Sequence, residues 1–133
     1  MKGFGLAPHG NVYLKPNVVL ADYDQNIFPP HAYTNRAVIE GVCSALDETE
    51  QAEKISIGEK CGIGIPTRLF YRFAKYDEMV KDWNANLYTT TPLEIYSLEE
   101  DKFAEKFVGG KIHSYVRLSQ RAVNADFKIA VPK

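Results

Sequence analysis

The stretch Ile55 to Trp83, ISIGEKCGIGIPTRLFYRFAKYDEMVKDW, carries Phe70, Tyr71, Phe73, Tyr76 and Trp83 behind the closely spaced Gly58, Gly62 and Gly64. So many large rings in so short a segment must be buried together, which makes it the expected centre of the core. Its first half alternates. Ile55 and Ile57 share one strand face, Gly58-Glu59 supplies a turn, and Cys61, Ile63 and Ile65 share one face of a returning strand, which predicts a hairpin. Over 67–83 two periods compete. Leu69, Phe73, Tyr76, Val80 and Trp83 fit a helix, whereas Leu69, Tyr71 and Phe73 fit a strand face opposed by Arg68, Phe70 and Arg72. The aromatic content and the strand before it favour β for Thr67 to Ala74, followed by a short helix capped by Asp77 and ending near Trp83.

The flanking segments build the rest of the expectation. Residues 1–10, with Gly3, Gly5, Pro8 and Gly10, suit an extended arm. Asn11 to Tyr23 is β-branched and aromatic, and Pro16 within it predicts a bulge, an edge or a tight connection between two short strands; Asp24 to Pro30 is a loop. Thr34 or Asn35 caps a helix near 35–51 that turns Val38, Ile39, Val42, Ala45 and Leu46 inward. Gly41 in its middle calls for a close packing contact, and the acidic Asp47-Glu48-Thr49-Glu50 tail opposes the helix dipole, favouring an earlier stop. Leu87 to Thr91 reads as a strand ended by Pro92. Ser97 with Glu100 matches a capping box in front of Leu98, Phe103, Phe107 and Val108, predicting a second helix over 98–108 that Gly109-Gly110 closes. Ile112, Ser114, Val116 and Leu118 alternate as a strand, Ser119 to Ala125 is a turn or single helical turn, and Phe127, Ile129 and Val131 form a last strand.

A chain of 133 residues is the size of one domain that folds without metals or disulfides. The predicted architecture is a single α+β domain over 1–133. Its sheet of about five to seven strands is mostly antiparallel, with the helices near 35–51 and 98–108 packed on one face. Antiparallel pairing is preferred because the connections are short and the strands alternate rather than running continuously apolar. Sixteen basic and seventeen acidic residues leave a formal charge of −1, too little to hold duplex DNA by a global field. Cys43 and Cys61 match no zinc spacing and are read as reduced and buried. With no signal-peptide core and no membrane-length apolar run, the expected address is the cytoplasm, and no membrane partner is assigned.

Three constellations could carry chemistry. His9, Asp22, Asp24 and His31 are donor types that suit zinc or iron, but their spacing matches no metal motif and aspartates serve loop turns equally well; no metal or cofactor is assigned. Cys61, with Lys60 to lower its pKa and His113 as base, could be a thiolate nucleophile, while its inward position on the predicted strand makes it a small buried residue. GEKCGIG lacks the terminal Gly-Lys-Ser/Thr of a phosphate-cradling P-loop. Arg68, Phe70, Arg72, Lys75 and Tyr76 form a basic-aromatic run on which bases could stack, although Leu69 stands where the common RNA-binding sheet wants glycine. Arginine and aromatic residues are also enriched at protein interfaces. The expectation is therefore a non-catalytic binding protein that engages a protein partner, or a second copy of itself, through Arg68, Phe70, Arg72, Lys75, Tyr76 and Trp83. The alternatives are a nucleotide or single-stranded nucleic-acid binder using the same face, and a small Cys- or metal-dependent enzyme.

Overall fold

The computed structural model describes residues 7–19, 32–62 and 64–132. In chain order the elements are β1 (Gly10–Pro16), α1 (Arg36–Asp47), β2 (Ala52–Glu59), α2 (Thr67–Phe73), α3 (Tyr76–Ala85), β3 (Leu93–Ser97), β4 (Phe103–Phe107), β5 (Tyr115–Ser119), α4 (Gln120–Asn124) and β6 (Phe127–Val131). Four strands make one sheet in the order β3-β2-β1-β6, and β4 pairs with β5 in a separate hairpin.

Every pair in the main sheet is parallel; among the described residues the antiparallel pairs are β4 with β5 and the isolated bridge Val18 to Tyr33. The expectation of a mostly antiparallel sheet is thus overturned, and the reason is physical. Alternation was read as the mark of an antiparallel sheet with one wet face, but here a parallel sheet has one apolar and one polar face. Val12, Leu14, Ile55, Ile57 and Leu93 point to one side and pack with Ile39, Cys43 and Leu46 of α1 and with Phe70, Tyr71, Tyr76, Met79 and Trp83 of α2 and α3. Each such aliphatic side chain, fully buried, contributes about 1.5–3 kcal/mol. Burial pushes the Cys43 thiol up to about 12, as expected of an inert core residue.

The aromatic segment is helical, not a strand. Its buried residues Thr67, Phe70, Tyr71 and Ala74 follow helical i, i+3, i+4, i+7 spacing, in a phase that leaves Leu69 38% exposed. The predicted hairpin over 55–65 is absent because β2 runs straight through Gly58 to Glu59; Ile63 lies outside the described residues. Leu87–Thr91 is not a strand either, since β3 starts only at Leu93, after Pro92. The predicted helix over 98–108 is instead a turn followed by β4. Ser97 does cap locally, its Oγ accepting from Glu99 N at 3.2 Å, but Phe103–Phe107 pairs with Tyr115–Ser119. Gly109, at φ 62°, serves the hairpin turn rather than a helix end. Val18 makes an isolated bridge to Tyr33, and the remainder of the predicted second strand and the 24–30 loop lie outside the described residues. Of the expected arm, residues 7–9 carry no regular structure and Gly10 already belongs to β1.

Helix α1 forms where expected, capped by Asn35, whose Oδ1 accepts from Ala37 N at 2.8 Å; its buried face is Ile39, Cys43 and Leu46, while Val38 and Ala45, expected inward, are exposed. It stops at Asp47. The Asp47 carboxylate is turned to use there: it accepts from Thr91 N (2.7 Å), Thr90 Oγ1 (2.9 Å) and Thr90 N (3.1 Å), pinning the loop before β3 to the end of α1. Burial by itself would raise this carboxyl, but the hydrogen bonds from Thr91 and Thr90 outweigh it and hold it below the ordinary value. Among the described residues no helix is long and apolar enough to cross a membrane.

Two glycines give opposite predictions. Contrary to expectation, Gly41 has no close neighbour, and an added Cβ would meet nothing within 4 Å; Gly41→Ala is expected to stabilise the domain by about 0.5–1 kcal/mol in urea unfolding. At Gly58 a Cβ would lie 2.6 Å from Tyr96 Cζ and 2.9 Å from Tyr13 Cε2; Gly58→Ala is expected to cost about 1–3 kcal/mol in the same measurement. For Asp47 the folded value is the lower one, so its contribution is present above the unfolded value and lost on acidification. The stability gap between the parent and Asp47→Asn should close as pH falls below about 4, and a gap that stays constant to pH 2.5 or so would count against these bonds.

Candidate anion-binding cleft

The second face of the sheet is polar by register. Tyr13 of β1 lies beside Ser56 of β2 and Lys128 of β6, and Ser56 lies beside Glu94 of β3. One pleat further on, Lys15 lies beside Ala130 and Gly58 beside Tyr96. With no side chain at Gly58, the rings of Tyr13 and Tyr96 lean over β2, their centroids 6.2 Å apart, and the Tyr13 hydroxyl donates to Gly58 O at 2.8 Å. Burial, then the neighbouring Tyr96, raises the Tyr13 phenol, so it stays protonated at neutral pH.

The β4–β5 hairpin and α4 stand over this face, fastened at their base. Asp101, with a side chain only 6% exposed, accepts from Ser119 Oγ and from Arg121 N. Ser119 Oγ in turn accepts from Ala122 N at 3.2 Å and caps α4. Arg121 lies over the Tyr96 ring at 4.3 Å and reaches Glu94 and Asp101, each at 3.6 Å.

Among the hollows that result, charge distinguishes two. The first, about 450 Å³, is bordered by Lys54, Glu94, Asp101 and Arg121. These charges satisfy one another, through Lys54–Glu94 at 2.8 Å and the two Arg121 contacts. The second, about 620 Å³, lies between Tyr13, Lys15 and Lys128 of the sheet and Phe103, Lys106, Arg117 and Leu118 of the hairpin, with Lys60 at its rim. Among the described residues five cations line it and no carboxylate does. Lys15 is paired with Glu59 and Arg117 with Glu105, and Lys128 Nζ donates to Ala125 O at 2.6 Å. Lys60 and Lys106 have no side-chain partner among the described residues. Grouped like charges repel, and an anion relieves that repulsion.

Glu59 is set in place by Tyr71. The Tyr71 hydroxyl accepts from Glu59 N at 2.8 Å and faces both Glu59 O and Tyr96 O, at 3.2 and 3.0 Å. The Glu59 carboxylate then accepts from Lys15 Nζ and from Lys60 N. In open parallel sheets the usual ligand crevice lies where the strand order reverses, here between β1 and β6. Thr34, 1% exposed, bridges those strand ends by accepting from Asn17 N at 2.9 Å and donating to Val131 O at 2.8 Å.

The residues singled out from the sequence fall elsewhere. Phe70, Tyr76 and Trp83 are buried, Trp83 Nε1 donating to Thr91 O at 2.9 Å, so they present no ring to a partner. Arg68 binds Glu100 through Nε and Nη2 and donates to Ile95 O at 3.3 Å, fastening α2 to the edge strand. Arg72 and Lys75 remain exposed, Lys75 in the left-handed conformation at the α2–α3 junction. The single strand face of Arg68, Phe70, Arg72 and Tyr76 does not exist in a helical segment. His9 is exposed and bonds Ala7 O; Asp22, Asp24 and His31 lie outside the described residues, and among the described residues no group of three or more His, Cys, Asp or Glu is placed to hold a metal. Cys61 is buried with Sγ 2.9 Å from Val19 O, and His113 sits in the exposed hairpin turn. The cleft cations escaped notice because they come from five separate segments; the visible hints were the outward Tyr13 and Lys15 of β1 and Lys128 of β6.

No curated protein and no solved structure matches this chain. A family model does match, over residues 12–133, a span that begins within β1 and takes in every later strand and helix, and the chain belongs to that family, DUF362, described as a domain of unknown function.

Proposed function

We propose that this domain is a binding module that holds a small organic anion between the polar sheet face and the β4–β5 hairpin. The observation that carries the reading is a hollow of about 620 Å³ whose lining, among the described residues, has five cations and no acidic residue, in a chain whose formal net charge is −1. Its size is that of a pocket for a cofactor-sized ligand rather than a lone ion, and Tyr13, Phe103 and Leu118 add apolar surface. Two free, buried cysteines support a cytoplasmic address.

A second reading, association of two copies, draws on the hairpin. Phe107 and Tyr115 meet edge to face at 5.4 Å while 70% and 62% exposed, and an isolated two-stranded sheet offers open edges to another chain. Light scattering across a concentration series tests it: a monomer throughout ends that reading, and a dimer abolished by Phe107→Ser supports it.

For the main reading, calorimetric titration with small anions at low salt should show binding that weakens steeply with added salt, because lysine contacts are screened. Lys60→Glu combined with Lys106→Glu should weaken it by about tenfold or more, while leaving the unfolding midpoint nearly unchanged, since both side chains are solvent-facing. Unaltered affinity in that variant would end the proposal.

A further inference from the structure

Resting on the cleft's being an anion site, we infer that its ligand is a phosphate ester with an aromatic or apolar body. The first argument is the kind of cation. Four of the five are lysines, compact point charges that hold phosphate oxygens without demanding a fixed fork geometry. The one arginine, Arg117, already gives its Nε to Glu105 at 2.9 Å. The second is the amount of charge. Lys60, Lys106 and Lys128 have no carboxylate partner among the described residues, so a ligand with two or more negative charges is needed to balance them. The third is the layout. Lys15 and Lys60 stand at the C-terminal ends of β1 and β2, where Glu59 accepts from the Lys15 ammonium and from the Lys60 backbone N–H. Phe103, 54% exposed, Leu98, Leu118 and Val123 supply the apolar part of the lining. A charged group toward Lys15 and Lys60 and an apolar body toward Phe103 match both kinds of surface, and Lys106 of the hairpin adds a further cation.

The test titrates the intact chain with ADP, adenosine, pyrophosphate, benzene-1,3,5-tricarboxylate, and vesicles of phosphatidic acid in phosphatidylcholine. The inference expects ADP to bind about tenfold or more tightly than adenosine, pyrophosphate or the tricarboxylate. Phe103→Ala should weaken ADP about tenfold while changing pyrophosphate about twofold at most. Binding to the phosphatidic acid vesicles in preference to ADP supports the same chemistry and places the ester on a lipid. Tricarboxylate binding as tight as that of ADP overturns the phosphate assignment, and pyrophosphate equal to ADP overturns the apolar body; in both cases the anion site itself stands. If none of the anions binds at low salt, the anion site fails together with the inference.

Discussion

The Tyr71 hydroxyl is the contact on which the geometry of this domain turns. Fully buried on α2, it reaches the backbone at the ends of β2 and β3 at once. A hydroxyl taken from water without partners costs several kcal/mol in an apolar medium, so this helix can dock in only one rotation and depth. That docking fixes where Glu59 emerges from β2, and Glu59 fixes Lys15 and the start of the loop at Lys60. A core tyrosine on the apolar side of the sheet therefore bears on where the Lys15 ammonium and the Lys60 backbone are held at the strand ends.

The parts of the fold written in local sequence were legible, and those that depend on distant partners were not. Asn35 before Ile39, Cys43 and Leu46 is a helix whatever surrounds it, and Phe127, Ile129 and Val131 alternate as β6 does. Thr67 to Phe73 misled because β-rich aromatic composition outweighed a helical phase that only burial discloses: Phe70 and Tyr71 face in, Leu69 faces out. Residues 98–108 misled for the opposite reason. Their capping signal is real at Ser97, but the decisive partner of β4 lies in β5, beyond the glycine turn. Tertiary pairing overrides local preference in short segments, and a cleft assembled from Lys15, Lys60, Lys106, Arg117 and Lys128 has no local signature at all.

The two hollows on the polar face show how differently the same residue types behave. Around Arg121, Glu94 and Asp101 answer the guanidinium and Lys54 answers Glu94, and the network spends its electrostatics on fastening the hairpin to the sheet. In the second hollow Lys15 and Arg117 keep carboxylate partners, while Lys60 and Lys106 have none among the described residues. The hairpin is thus both a wall of the cleft and a structure held by the network behind it, so weakening Asp101 or Arg121 acts on the cleft through the wall's position rather than through its charge.

The pairing of β1 with β6 joins Val12 to Phe127, near opposite ends of the described chain, and Thr34 ties the same two strands. Pairings so remote in sequence are slow to form, since a long loop must close before any contact rewards it. Lys15 and Lys128 become neighbours only at that step. The cleft is therefore a property of the completed fold and absent from any intermediate lacking β6, and whatever occupies it draws the chain toward the finished state by mass action.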